Sequence, residues 1–183
     1  MICLKLLKRK KPFFFLHVLV FDLPINIEKQ LNHTCMSKKI LAVASVGGHW
    51  VQLLRLKNAF TDADLVFLST NSKFASTVPG YKFYAVTDSN RWSKVKMMKT
   101  FWEIMKVIFK EKPDVIITTG AAPGLMGLVI GSSLGIKTIW VDSIANADEL
   151  SMSGKIARTF ASKVYTQWPD LADSSVQFSG NVL

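Results

Sequence analysis

The chain is short of acid, of cysteine and of long apolar runs. No stretch reaches the ~20 consecutive apolar residues that a membrane-spanning helix needs. The two cysteines, Cys3 and Cys35, both lie in the N-terminal stretch, with neither metal-ligand nor disulfide-framework spacing. A reducing cytoplasmic setting is therefore expected. The dinucleotide pattern GxGxxG is missing, which argues against a dehydrogenase. No carboxylate pair or His/Cys cluster presents itself, so neither a metal nor a cofactor is expected. Thirteen acidic residues stand against 23 Lys and Arg, a formal net charge of +10. A charge so far from zero points to an anionic partner: nucleic acid, an anionic membrane surface, or a nucleotide-sugar or pyrophosphate ligand.

What is present suits one domain. The 183 residues, 49% of them apolar, are enough for a sizeable core. Residues 1–35 differ from the rest. Lys5, Lys8, Arg9, Lys10 and Lys11 precede an apolar stretch from Pro12 to Ile25 that Asp22 and Pro24 interrupt. The segment reads either as a basic and aromatic membrane anchor or as an extension translated upstream of Met36, since Met36-Ser37-Lys38-Lys39-Ile40 looks like a natural start. Residues 36–183 are expected to form the working domain.

From Ile40 onward strands alternate with helices. Strands are expected at Ile40–Val46, Leu65–Ser69, Tyr81–Val86, Val115–Thr118, Lys137–Val141 and Val164–Gln167. Helices are expected at Trp50–Ala59, Ser93–Glu111 and Leu125–Leu134. The alternation predicts an α/β fold with a doubly wound, Rossmann-like parallel sheet.

Two small-residue turns sit where such sheets bind ligands, outside the carboxyl ends of strands. In Ser45-Val46-Gly47-Gly48-His49, Gly47 and Gly48 let the backbone approach a ligand, and the helix start favours a phosphate. His49 would stand at the mouth, and histidine ordinarily titrates near neutrality. An ordinary glycine turn with a capping histidine explains the same residues. The second turn, Thr119-Gly120-Ala121-Ala122-Pro123-Gly124, can face the same cleft, although close helix–strand packing also demands small residues. Asp62-Ala63-Asp64 has the look of a metal-binding DxD, but it precedes a strand at the amino edge, so a solvated loop is expected.

The helix expected at Ser93–Glu111 carries Lys96, Lys99, Lys106 and Lys110 on one stripe, with Glu103 among them. Its remaining residues, Trp102 included, offer more apolar surface than one packing interface requires. Either the helix lies at a membrane surface or it is an ordinary packed helix with a solvated lysine face. Nucleic-acid binding is not expected, because the lysines interleave with a core-like helix rather than with exposed aromatics.

Three elements, Asp142-Ser143, then Leu150-Ser151-Met152-Ser153-Gly154-Lys155, then Gln167-Trp168-Pro169, are read together with Gly47-Gly48-His49. From about Lys38 onward the chain resembles the membrane-side, acceptor-domain subunit of bipartite GT-B glycosyltransferases. That family includes the membrane-anchoring subunit of the dolichol-linked N-acetylglucosamine transferase and bacterial exopolysaccharide and capsule subunits. The Gly-Gly-His turn is also similar to the acceptor domain of the peptidoglycan lipid-intermediate N-acetylglucosaminyltransferase. Relatives usually carry glutamate where this chain has Asp142, and often Ser-Arg where it has Ala145-Asn146.

The resemblance implies the N-terminal half of a GT-B enzyme at the cytoplasmic face of the membrane. This half would bind a lipid-linked sugar acceptor, and a second small subunit would carry the nucleotide-sugar site. The end at Leu183 falls where a fused enzyme would continue. The chemistry implied is displacement of UDP from an anomeric carbon by an acceptor hydroxyl. His49 is expected either to take the hydroxyl proton or to grip the acceptor's pyrophosphate. Gly47, Gly48, Gly120, Ala121, Asp142 and Ser143 would shape the acceptor and phosphate site. Ser151, Ser153, Gly154, Lys155, Gln167 and Trp168 would meet the partner or an anion. Lys96, Lys99, Lys106, Lys110 and Trp102 would meet the membrane. The competing expectations are a complete nucleotide-sugar enzyme such as an epimerase, and a non-catalytic scaffold that only recruits its partner.

Overall fold

The computed structural model describes residues 37–89 and 93–182. Residues 1–35, with both readings of them, lie outside that range. Seven strands form one sheet in which every neighbouring pair is parallel. They are β1 (Lys39–Ala44), β2 (Asp64–Ser69), β3 (Lys82–Ala85), β4 (Val115–Thr118), β5 (Lys137–Val141), β6 (Lys163–Thr166) and β7 (Gln177–Phe178), in the spatial order β3-β2-β1-β4-β5-β6-β7. The helices are α1 (Gly48–Leu56), α2 (Lys94–Glu111), α3 (Ala121–Ser133) and α4 (Met152–Phe160). The doubly wound parallel sheet is as expected. The short edge strand β7 and the helix α4 complete it.

The sheet reverses direction at β1: the chain winds outward through β2 and β3, then returns to β4 and winds the other way. Right-handed crossovers therefore put α1 on one face and α2, α3 and α4 on the other. The side chains of β2 record this with their period of two. Phe67 lies edge-on to Trp50 of α1 at 5.8 Å, whereas Val66 and Leu68 join a core cluster with Ile104 and Ile108 of α2. On the α1 side, Trp50 also stacks on Phe74 at 4.9 Å. On the other side, α3 packs between α2 and α4. Glycine makes this close approach possible: a Cβ on Gly131 would come within 2.6 Å of Ile116.

Several boundaries shift from expectation: β1 ends at Ala44 rather than Val46, α1 at Leu56 rather than Ala59, and β3 and β6 move by a residue at their ends. Two helix starts differ for local reasons. α1 begins at Gly48 instead of Trp50, because Gly47 takes a left-handed φ of 77° and the amide of Val51 already bonds to its carbonyl (3.3 Å). α3 begins at Ala121, so residues 121–124 are not a tight turn but the first turn of a helix capped by Gly120. α2 ends as its sequence suggests. Lys112 adopts φ 49° and returns its N–H to the Ile108 carbonyl (2.8 Å), and Pro113 follows.

At the amino edge a buried carboxylate ties three elements together. Glu111, at the end of α2 and 5% exposed, accepts from Tyr84 Oη (2.7 Å), Lys39 Nζ (3.2 Å) and Lys82 Nζ (3.3 Å). Asp64 lies on the same edge, 3.6 Å from Lys39, so the Asp-Ala-Asp stretch stands at the opposite end of the sheet from His49. The Tyr84 hydrogen bond, helped by the two lysines and opposed by burial, holds Glu111 down at about 2 from an ordinary 4.5. A depressed carboxyl stabilises the fold above its unfolded value and loses that contribution as pH falls. Stability should thus drop by about 2–3 kcal/mol as pH is lowered from 4.5 toward 2. Denaturant titrations across that window should show the drop in the parent and a flatter profile in Glu111→Gln.

Candidate active-site crevice

The crevice forms where β1 and β4, side by side, release their chains to opposite faces. This is the switch point at which doubly wound sheets bind ligands. β1 runs into Gly47-Gly48-His49 and β4 into Thr119-Gly120-Ala121. The two turns lie against each other. His49, in the first turn of α1, places Nδ1 2.8 Å from the Thr119 carbonyl, and Thr119 Oγ1 donates back to the His49 carbonyl at 2.7 Å. A carbonyl can only accept, so Nδ1 carries the proton and the neutral ring keeps its lone pair on Nε2.

Gly120 is required twice over. Its φ of 131° suits only glycine, and a Cβ there would sit 2.6 Å from the imidazole. Ala121 holds φ 65° beside it, strained backbone at the crevice itself. Over Gly47 and Gly48 the space is open, with nothing within 4 Å of an added Cβ. The α1 amides there can accept an anion at close range.

The structure places the residues around Asp142 differently from expectation. Asp142 is 1% exposed. Its carboxylate accepts from Trp140 Nε1 (3.0 Å), Ser151 N–H (2.8 Å), Ser151 Oγ (2.6 Å) and, at 3.4 Å, Asn146 Nδ2. With its lone pairs taken, Asp142 holds the start of α4 rather than a substrate. Ser151 is the cap of α4, accepting from Gly154 N–H at 2.8 Å while donating to Asp142. Gly154 is glycine because a Cβ would lie 2.7 Å from Asp142. Asp142 and Gly154 are buried, and Ser151 is half-buried with its hydroxyl engaged on both sides.

Gln167 is likewise internal, 3% exposed. Its amide donates to the Asp142 carbonyl (2.9 Å) and Gln52 Oε1 (3.3 Å), and its oxygen accepts from Val182 N–H (2.8 Å). The Trp168 indole donates to the Ile144 carbonyl (2.8 Å), pinning the loop after β5. Lys155 is exposed but paired with Glu149 at 2.7 Å, and Ser153 is half-buried in the first turn of α4.

Ser143 keeps a place near the crevice. Its hydroxyl accepts from Gln52 Nε2 at 3.3 Å, which links it to the helix of His49. Gln52 was not singled out from the sequence, yet it joins α1 to the segments after both β5 and β6. The available signal was an uncharged polar residue among Trp50, Leu53 and Leu56, on the face of α1 that is buried.

The expected membrane residues divide in two. Lys96, Lys99, Lys106 and Lys110 are exposed on one flank of α2. Lys99 approaches Glu103 at 3.9 Å, and Lys110 lies 5.2 Å over the ring of Tyr84. Trp102 is 56% exposed next to them. No helix among the described residues is long and apolar enough to cross a membrane.

Residues 67–182 match a protein-family model described as "Oligosaccharide biosynthesis protein Alg14 like". The UDP-N-acetylglucosamine transferase subunit alg14 of Schizosaccharomyces pombe is 30% identical over 164 residues, covering 74% of this chain and 78% of that protein. The human subunit of the same description is 26% identical over 169 residues, covering 75% and 78%. Among solved structures, MurG of Acinetobacter baumannii superposes with a TM-score of 0.64 at 16% identity, covering 78% of this chain and 45% of that one. A UDP-GlcNAc 2-epimerase from Methanocaldococcus jannaschii gives 0.61 at 19% identity with the same coverage. The chain thus spans less than half of these solved proteins, and the likeness is one of fold, that of the N-terminal half of a GT-B enzyme. Transferase and epimerase structures share it equally, so the sequence relatives separate the two.

Proposed function

The chain belongs to the Alg14-like family of oligosaccharide biosynthesis proteins, and on that premise we propose that it is the acceptor-side subunit of a UDP-sugar glycosyltransferase that builds a lipid-linked oligosaccharide or surface polysaccharide. It binds the acceptor and the membrane surface, and a separate subunit supplies the donor site. The observation that carries this reading is the His49 ring, with Nδ1 committed to the Thr119 carbonyl and Nε2 left as a base beside two open glycines.

In the reaction, an acceptor hydroxyl forms a bond to the anomeric carbon of the donor sugar as the bond to the UDP oxygen breaks. His49 Nε2 takes the hydroxyl proton, and the Thr119 carbonyl stabilises the imidazolium that results. The acceptor's diphosphate lies against the Gly47–Gly48 amides at the start of α1. Gln52 and Ser143 hold the neighbouring wall, and Asp142 and Gln167 hold those residues from behind.

The donor is tested by combining the chain with its second subunit and supplying a polyprenyl-diphosphate-sugar acceptor with each UDP-sugar in turn. Transfer from UDP-N-acetylglucosamine is the expected result, in line with the relatives' descriptions. Failure with every UDP-sugar, at full assembly, would overturn the reading.

Membrane association follows from the lysine flank of α2. Changing Lys96, Lys99, Lys106 and Lys110 to Glu should abolish binding to anionic vesicles, and added salt should weaken binding of the parent chain. Flotation at low and high salt, with circular dichroism as the check on folding, measures both. Undiminished binding by the folded variant would remove α2 as the contact.

A further inference from the structure

The outward face of the α2–α3–α4 layer carries surface that the crevice does not use. On α2, Val95, Met98, Trp102 and Phe109 are each more than half exposed. On α4, Met152, Ile156 and Phe160 recur every fourth residue, so they form one stripe, and all three are exposed. α3, between them, has no charged residue and is apolar on every side. A helix of that kind ordinarily has both faces covered; the sheet covers one and α2 and α4 flank the other, which leaves Leu125, Met126 and Val129 half-buried between them.

The flanking helices leave apolar residues exposed on either side of α3. Arg158 pairs with Asp173 at 2.8 Å, in the segment leading to β7, and this turns one flank of α4 to the sheet edge. Ile156 and Phe160 occupy the opposite flank, exposed, while Ala157 is the α4 residue that packs in one cluster with Leu125 and Leu128 of α3. At the other edge, Lys110 over Tyr84 and Glu103 bonded to the Thr87 amide (2.6 Å) turn the lysine flank of α2 toward β3. Met98 and Trp102 are left on the side nearer α3. The result is an apolar floor with a row of lysines along its β3 side, relieved only by Glu103.

We infer that this three-helix face is one continuous lipid-contacting platform, with α4 entering the interface of an anionic bilayer alongside α2. The inference rests on the membrane association proposed above and extends it from one lysine flank to the whole layer. Charge selects the occupant. Anionic headgroups match the lysine row while the acyl boundary takes the apolar floor. In this pose the sheet lies parallel to the bilayer, so the strand ends and His49 point along the surface, toward an acceptor whose diphosphate lies at headgroup height.

The test uses the full chain and vesicles of phosphatidylglycerol and phosphatidylcholine. The triple variant Met152→Ser, Ile156→Ser, Phe160→Ser should partition at least about tenfold more weakly than the parent. All three side chains are exposed, so the fold should survive, with circular dichroism as the check. As a second measure, an environment-sensitive fluorophore on Ile156→Cys, with Cys3 and Cys35 changed to Ser, should shift to the blue when vesicles are added. If the triple variant binds like the parent and the fluorophore stays in water, while the α2 lysine reversal still abolishes binding, the platform is overturned and the association through α2 stands. If the triple variant keeps its vesicle binding but converts a dimer to a monomer, the stripe is a contact between copies and the platform is again overturned. If neither set of changes affects binding, the contact lies outside this layer and the platform is overturned; if the parent chain does not bind vesicles at all, the membrane association itself fails.

Discussion

Replacing His49 with alanine should lower sugar transfer by the assembled enzyme roughly 10²–10⁴-fold, the usual contribution of a general base. The loss should fall on turnover, with acceptor affinity nearly intact, because in the proposed mechanism the α1 amides hold the diphosphate. Alanine also leaves the Thr119 carbonyl without its donor, at about 1 kcal/mol, so folding should be monitored but should hold. The Nδ1 bond to Thr119 suggests two sharper substitutions. His49→Asn keeps a donor where Nδ1 lies and removes any group from the place of Nε2. His49→Gln puts an amide near the place of Nε2 but cannot act as a base near neutrality. Loss of turnover in all three variants, at unchanged acceptor binding, supports the base. Recovery in the Gln variant alone would assign His49 to gripping the acceptor. Full activity in all three would make the histidine a structural link between α1 and β4, with the base supplied by the other subunit.

The chain by itself should show no measurable transfer, and addition of the second subunit should restore it. The described residues form one sheet with one crevice at its switch point. Positive dipoles have to stabilise the UDP diphosphate as its bond to the sugar breaks, and in the proposed division of labour the second subunit supplies them. The S. pombe and human relatives are described as subunits, in agreement with that division. A radiolabelled-sugar assay on the purified chain, with the second polypeptide shown absent by mass spectrometry, makes the measurement. Robust transfer by the isolated chain would sink the two-subunit reading. Vesicle recruitment of the partner without any transfer, under every donor tried, would instead favour a scaffold.

The alternation of short apolar runs with helical stretches determined the architecture, because a parallel sheet buried on both faces demands continuous apolar strands and a crossover after each. Val115–Thr118 and Lys137–Val141 were bounded correctly for that reason, since each is a run of apolar and β-favouring residues ended by a turn or a charge. The positions of Gly47-Gly48-His49 and of Gly120 were legible too, as small residues at strand-to-helix junctions. What the sequence could not determine was the state of each polar side chain, which depends on neighbours far away along the chain. Asp142, Ser151, Gly154 and Gln167 looked like site residues because they stand together in a distinctive pattern. The tertiary structure turned Asp142, Gly154 and Gln167 inward and left Ser151 half-buried, since a buried carboxylate needs donors, and Trp140, Asn146 and Ser151 supply them. Gln52 is the converse case: its own helix marks it only as a polar residue on the buried face, while its partners Ser143 and Gln167 come from distant segments. The surplus of apolar residues on α2 was visible in the sequence. Which residues of α4 stand exposed was decided only by packing, because the roll of each helix is set by the side chains it buries, Thr100, Ile104, Val107 and Ile108 on α2 and Gly154 and Ala157 on α4.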